Sequence, residues 1–244
     1  MTDQSSIKGR GFDDYAQDYD AALAHGLAIS GENKNYFAGG RIAWLTNCLQ
    51  RLKEQPQAVM DLGCGTGSAS PFLFNLLGVK SLLGIDTSAK SLEVARKTHG
   101  STHARFLHLN QFDPEEQFDL VFCNGVFHHI PPAERFSTVN YVYRSLRPGG
   151  LFAVWENNPW NPGARYVMSR IPFDRDAIMV RPAEGRHLLR AGHFKILRTD
   201  FLFVFPRMLR CFRGLERFVS RLPLGAQYQI LARKPSLGDG TSPR

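Results

Sequence analysis

The chain has 244 residues, of which 43% are hydrophobic, and a formal net charge of +8. That length suits one large α/β domain or two small ones, and the apolar fraction can build a core, which excludes a disordered chain as the default. Met1 to Gly11 is polar without an apolar h-region, and no run approaches the roughly 18 apolar residues of a spanning helix, so the expectation is a cytoplasmic protein without a secretory signal.

In chain order, residues 1–10 and 235–244 read as loose ends rich in Ser, Gly, Pro and Thr. Two helices are expected at Phe12 to Leu27 and Tyr36 to Leu52, separated by Ser30-Gly31-Glu32-Asn33. A βα alternation begins at Ala58. Strands are expected at Ala58 to Leu62, Ser81 to Ile85, Arg105 to Leu109, Phe118 to Cys123 and Leu151 to Trp155. Helices fall between them at Ser68 to Leu77, at Ser88 to Thr98 with Ser88 as N-cap, and at Ala133 to Leu146, closed by Arg147-Pro148-Gly149-Gly150. Short apolar strands alternating with helices imply a parallel sheet covered on both faces. Asn157 to Pro172 holds three prolines and a glycine and reads as a structured loop. A helix at Ala183 to Arg190 and strands at Phe194 to Phe205 and Gln227 to Arg233 complete the pattern, with Arg207 to Leu222 between the last two. The fold class is therefore α/β, a Rossmann-like, doubly wound, mostly parallel seven-stranded sheet with helices on both faces.

Cys48, Cys64, Cys123 and Cys211 form no C-x-x-C pair and have no histidine at zinc-ligand spacing, so they read as reduced, mostly buried thiols. No His, Asp and Glu set has metal-ligand spacing either, and metal-independent chemistry is expected.

The strongest signal is Val59-Met60-Asp61-Leu62-Gly63-Cys64-Gly65-Thr66-Gly67, which follows a strand and opens a helix. Glycines there allow a tight turn and close approach of backbone to a ligand. Asp86 ends the next strand, 21 residues after Gly65, where a carboxylate can accept hydrogen bonds from both ribose hydroxyls of an adenosine ligand. A dinucleotide fingerprint has the same acidic residue but reads G-x-G-x-x-G/A, and its third small position would fall on Ser68 or Ser70.

The G-x-G-x-G spacing, with Asp61 ahead of it, closely resembles the nucleotide-binding motif of class I S-adenosylmethionine-dependent methyltransferases. Three further segments resemble that family in its own order: Leu83-Gly84-Ile85-Asp86-Thr87-Ser88, Phe118-Asp119-Leu120-Val121-Phe122-Cys123-Asn124 and Arg144-Ser145-Leu146-Arg147-Pro148-Gly149-Gly150. The subgroup it looks like is that of small-molecule and quinone-type methyltransferases. The resemblance implies S-adenosylmethionine as cofactor, held by Asp61, Gly63, Cys64, Gly65, Gly67, Asp86, Thr87 and Asn124. It also implies adenine contacts after the third strand, where this chain has Asn110 and Gln111 instead of the usual acid; an Asn carbonyl can accept the same hydrogen bond. The N-terminal helices would lid the cofactor, with Tyr19 near its methionine carboxylate and Arg41 as an ion-pair candidate. Three parts result: a helical lid at 1–53, a methyltransferase domain at 54–234 and a flexible tail at 235–244.

Chemistry is expected beyond the C-terminal ends of the fourth and fifth strands. Phe127-His128-His129-Ile130-Pro131 follows the fourth, and His128 is the candidate general base. Glu156, after the fifth, is placed to orient a substrate or assist His128. The acceptor is a small or lipid-like molecule, with O-, N- and C-methylation all open. One alternative is methylation of RNA ribose or ends, which the positive charge invites; the base-methylating motif is absent, since Asn124 is followed by Gly-Val-Phe, so a nucleic-acid partner is disfavoured. Another is a non-catalytic S-adenosylmethionine-binding protein.

The charge is local. Between Phe201 and Lys234 seven basic residues face Glu216 alone. On a helix at about 100° per residue, Arg207, Arg210, Arg213, Arg217 and Arg221 share one side of 207–222 and Met208, Cys211, Phe212, Leu215, Phe218, Val219 and Leu222 the other. Such a basic amphipathic helix either packs its apolar face on the core, or lies at a membrane surface or beside an apolar or anionic acceptor.

Overall fold

The computed structural model describes residues 26–174 and 177–236. Tyr19 and most of the helix expected at Phe12 to Leu27 lie outside the described residues. The first long helix is α1 (Lys34–Leu52), whose N-cap Asn33 accepts a hydrogen bond from Tyr36 N. The strands are β1 (Ala58–Leu62), β2 (Ser81–Asp86), β3 (Ala104–His108), β4 (Phe118–Asn124), β5 (Leu146–Asn157), β6 (Lys195–Leu202) and β7 (Gln227–Arg233). Among the described residues they form one seven-stranded sheet in the order β3-β2-β1-β4-β5-β7-β6. The strands from β3 to β5 in that order run parallel, and β7 is antiparallel to both its neighbours.

This order reverses at β1: the chain leaves it outward to β2 and β3, then returns to β4 on its other side. A crevice opens at such a switch point beyond the strand ends. Successive strand residues face opposite sides, and both sides are covered. Val59, Leu120, Phe122 and Trp155 pack with Ile42, Leu45 and Leu49 of α1 on one face. Met60, Val121 and Phe152 pack on the other with Val139 and Val142 of a helix at Arg135–Ser145 and Leu189 of a helix at Pro182–Ala191.

The helix after β1 is short, Ser70–Phe72, and continues as a π-helical turn at Leu73–Leu77. Ser88 caps the next helix, Ala89–His99, by accepting from Ser91 N at 3.1 Å. β5 starts earlier than expected, at Leu146, because Arg147-Pro148-Gly149-Gly150 continues the sheet. Gly149 N donates to Lys234 O and Lys234 N to Gly150 O, with Gly149 at φ 82°.

Two expectations fail. Asn157 to Pro172 is not all loop: a helix runs at Pro162–Arg170. Its prolines punctuate rather than forbid it, since Pro162 occupies the first helical turn and Asn161 caps it, accepting from Ala164 N at 2.9 Å. The segment 207–222 is not one α-helix. It is a 3-10 run at Arg207–Leu215 followed by four α-helical residues, Glu216–Val219. Three residues per turn align Arg207, Arg210 and Arg213 along one edge. Its apolar side chains do not pack on the core: Met208 is 87% and Phe218 70% exposed, and Phe212, Leu215 and Leu222 are exposed too. Glu216, by contrast, is buried and accepts from the amides of Phe203, Val204 and Phe205.

Candidate functional site

β1 delivers the chain into the glycine loop, and the loop is tied to the end of β2. Gly63 N and Cys64 N donate to Ile85 O at 2.7 and 3.1 Å. Asp86 accepts from Gly65 N on one carboxylate oxygen and from Ser88 N on the other, each at 2.8 Å. The three loop glycines are not equivalent. A Cβ on Gly63 would fall 2.2 Å from Val126 Cγ2, and one on Gly67 3.0 Å from His99 Cδ2. On Gly65, at φ 52°, a Cβ would meet nothing within 4 Å. Gly63 and Gly67 therefore allow packing, whereas Gly65 borders the space a ligand would fill. The Cys64 thiol is buried, and burial pushes its pKa far up.

Asp61, on β1 below the loop, is buried, and its Oδ2 has no hydrogen-bond partner among the described residues. Burial, and then the charge of Asp86, push its pKa up to about 7 against the opposing pull of Arg41. A buried carboxylate oxygen without a donor is costly unless a ligand supplies one. At the other edge, His108 of β3 bridges to Thr87: its Nε2 lies 3.0 Å from Thr87 O, and its Nδ1 accepts from Asn110 N at 3.3 Å. Asn110 and Gln111 sit in a 3-10 turn, exposed at the end of β3, with Gln111 Oε1 accepting from His108 N. His108 was not marked by the motif reading, because its role depends on β3 lying beside β2.

Beyond β4, Asn124 and Gly125 lead into a 3-10 turn at Phe127–His129. Glu156 of β5 is 2% exposed and accepts from Phe127 N at 2.8 Å, while its other oxygen lies 2.5 Å from His128 Nδ1. His128 is buried, and its Nε2 is 3.5 Å from Asp174 Oδ1; His129 Nε2 is 3.2 Å from the same oxygen. Burial alone would lower the His128 pKa, but Glu156 and Asp174 outweigh it and push it up to about 10. The Asp174 pKa is pulled down: burial would raise it, but hydrogen bonding to His128 and His129 prevails. Sequence reading missed Asp174, which no local motif marks and which only the fold brings here.

It also missed Arg135. Its buried guanidinium donates to Phe127 O and Ile130 O, each at 3.0 Å, and to Ile178 O at 2.6 Å, and pairs with Glu184. This fixes the histidine turn against the 178–184 segment.

One cavity, about 150 Å³, runs from Thr66 and Ser68 of the glycine loop to this cluster, past Arg41, Asn124, His129 and Glu156. A wider one, about 800 Å³, opens beside the same loop against Lys90, Lys97 and His99. Neither cavity touches Asp86, but the smaller one alone reaches the ends of β4 and β5, and it is the candidate site.

A methyltransferase-domain family profile matches residues 60–152. The chain is 33% identical over 95 residues to a trans-aconitate 2-methyltransferase of Rhizobium leguminosarum bv. trifolii (strain WSM2304), a match covering 39% of this chain and 36% of the relative. It is 32% identical over 138 residues to a ubiquinone biosynthesis O-methyltransferase of Bradyrhizobium sp. (strain ORS 278), covering 52% and 51%. These matches thus span about a third to a half of the length of those relatives. Among solved structures, a complex between the Haloferax volcanii Trm112 methyltransferase activator and a putative methyltransferase contains a similar fold. It superposes with a TM-score of 0.63 at 20% identity, covering 94% of this chain and 100% of that one. Strand order, the tied glycine loop and the matched segment agree: residues 60–152 match a methyltransferase domain, set in a fold similar to that of solved methyltransferases.

Proposed function

We propose that this protein transfers a methyl group from S-adenosylmethionine to a small-molecule or lipid-like acceptor bound between the glycine loop and the His128–Glu156 pair. The observation that carries this reading is the single cavity joining the two. The cofactor, when bound, supplies a methyl group already activated on a sulfonium. The residues fit it. Asp61 offers an unpartnered carboxylate oxygen to an ammonium, Gly65 leaves open space, and the Asp86 carboxylate stands at the end of β2 for ribose hydroxyls. Gly63, Cys64 and Gly67 hold the loop's shape, Thr87, Asn110 and Gln111 follow β2 and β3 where they would meet the adenine, and Asn124 lines the cavity where the sulfur end would enter it. Phe37 and Arg41 of α1 line the cavity, which supports a lid role for 1–53 over the 54–234 domain.

The chain's own contribution to the reaction is alignment and exclusion of water. His128 and Glu156, both buried, fix the floor of the acceptor site. One relative's name, a ubiquinone biosynthesis O-methyltransferase, favours an oxygen acceptor, and the other's, a trans-aconitate 2-methyltransferase, favours a small acid. Labelled methyl transfer to a panel of small carboxylic acids and phenols tests this, with total RNA alongside. Product from a small molecule supports the reading; label in RNA alone, or cofactor binding with no transfer to any acceptor tried, favours the alternatives.

A surface observation favours peripheral membrane contact as well. Among the described residues no helix is long and apolar enough to cross a membrane. The 207–222 segment nevertheless presents exposed Met208, Phe212 and Phe218 among exposed Arg207, Arg210 and Arg217, with its one acid turned inward. Apolar side chains ringed by arginine match an anionic lipid surface. The segment follows β6 at the same edge of the sheet as the ends of β4 and β5, so a lipid-like acceptor would arrive beside the cavity.

A further inference from the structure

We propose that His128, His129 and Asp174 bind one divalent transition-metal ion of the zinc type, facing the acceptor end of the cavity. Each residue offers one donor atom, and the three lie within 4.8 Å of one another. Asp174 Oδ1 is 3.2 Å from His129 Nε2 and 3.5 Å from His128 Nε2. An ion about 2.0–2.1 Å from two such atoms in tetrahedral geometry holds them about 3.3–3.4 Å apart. These two edges bracket that separation, and the third, between the two imidazoles, is within 4.8 Å.

A second observation is independent of those distances. Metal-binding imidazoles are typically held by a carboxylate on the nitrogen that does not ligate, which fixes the ring and aims the other nitrogen. Glu156 stands in that position, 2.5 Å from His128 Nδ1 and itself anchored by Phe127 N. Its side chain is 1% exposed, so the arrangement is built into the core where β5 ends. Charge points the same way. Two carboxylates, Glu156 and Asp174, are buried beside two imidazoles, and a divalent cation that displaces the proton of His128 balances both of their charges.

Two imidazole nitrogens and one carboxylate oxygen select borderline ions such as Zn²⁺, Co²⁺ or Fe²⁺ over Mg²⁺ and Ca²⁺, which prefer all-oxygen shells. Three protein ligands leave a position open toward the cavity. On the methyl-transfer reading, which this part of the inference rests on, that position suits an acceptor oxygen: a hydroxyl, an enolate or a carboxylate. His128 then serves as a ligand, and the ion, as a Lewis acid, is what lowers the acceptor's proton affinity.

The binding claim is tested without cofactor or acceptor, so it stands or falls apart from the methyl-transfer reading. Chelator-treated protein is titrated with Co²⁺ and followed by its visible absorption, and with Zn²⁺ by calorimetry. One equivalent of each, with a four- or five-coordinate Co²⁺ spectrum, is expected. His129→Gln and Asp174→Asn should each weaken Zn²⁺ binding at least tenfold while S-adenosylhomocysteine affinity stays unchanged; Asp174→Asn, which removes a buried partner of His128, should also lower the thermal midpoint, and His129→Gln, on the less buried residue, should not. Glu156→Gln should weaken it about 10- to 100-fold without removing a ligand. Absence of a stoichiometric Co²⁺ spectrum, or Zn²⁺ binding undiminished in both His129→Gln and Asp174→Asn, overturns the proposal.

Discussion

Binding of S-adenosylhomocysteine should tighten steeply between about pH 5.5 and about pH 7, and Asp61 should be the cause. Its carboxyl is buried, and burial together with Asp86 holds its pKa near 7 rather than in the ordinary carboxylate range. In the free protein it therefore carries a proton below neutrality. An ammonium ligand at the unpartnered Oδ2 requires the ionised form, so binding at lower pH must first expel that proton. The sign follows: the free state is increasingly protonated as pH falls, and affinity falls with it. For a pKa of about 7 that is required to be ionised in the complex, the dissociation constant scales as one plus the ratio of protonated to ionised acid, which gives about a 16-fold change over that interval. The ligand's amino group stays charged throughout, so it adds no slope. Calorimetry at four pH values measures this, with buffers of different ionisation heat reporting proton release directly. Asp61→Asn should bind more weakly at neutral pH and show a nearly flat profile. A flat profile in the unmodified protein, or a slope surviving in Asp61→Asn, would refute the assignment of Asp61.

The other predictions concern the loop, the cluster and the surface. Gly65→Ala should cost about 1–2 kcal/mol of fold stability for its positive φ yet weaken S-adenosylhomocysteine strongly, whereas Gly63→Ala should lower the thermal midpoint far more, because its Cβ would fall 2.2 Å from Val126 Cγ2. Chemical denaturation and calorimetry on the pair separate the two effects. His128→Asn should lower turnover by about 10²-fold, the scale of a misplaced acceptor, with little change in S-adenosylhomocysteine affinity; equal losses in both would make the residue structural. Liposome flotation should show association with anionic vesicles that falls with salt and is lost when Arg207, Arg210 and Arg217 become Gln. No association at low salt would remove the membrane contact.

Much of this was legible in the sequence because it is local. β1 and β7 fall where their apolar runs put them, and the glycine loop, Asp86 and Ser88 sit within one βα unit whose spacing fixes their geometry. The pairing of His128 with Glu156 was legible too, since residues at and just past the C-terminal ends of adjacent parallel strands meet at one end of the sheet. Asp174 was not, because it reaches His128 and His129 from a distant segment that the Arg135 contacts, the hydrogen bond from Ile178 N to His128 O and the tertiary fold bring over them. Neither was the form of 207–222. Arginines three apart fit a helical wheel at 100° about as well as they fit a 3-10 edge, and periodicity cannot say that the apolar face stays uncovered.

The most direct test of the whole account is a crystal structure of the protein with S-adenosylhomocysteine. The account predicts the nucleoside against the glycine loop with its ribose hydroxyls on Asp86, its ammonium at Asp61 Oδ2, and its sulfur directed past Asn124 into the cavity that ends at His128 and Glu156. A ligand lodged instead in the wider cavity against Lys90 and Lys97, away from Asp61 and Asp86, would contradict it.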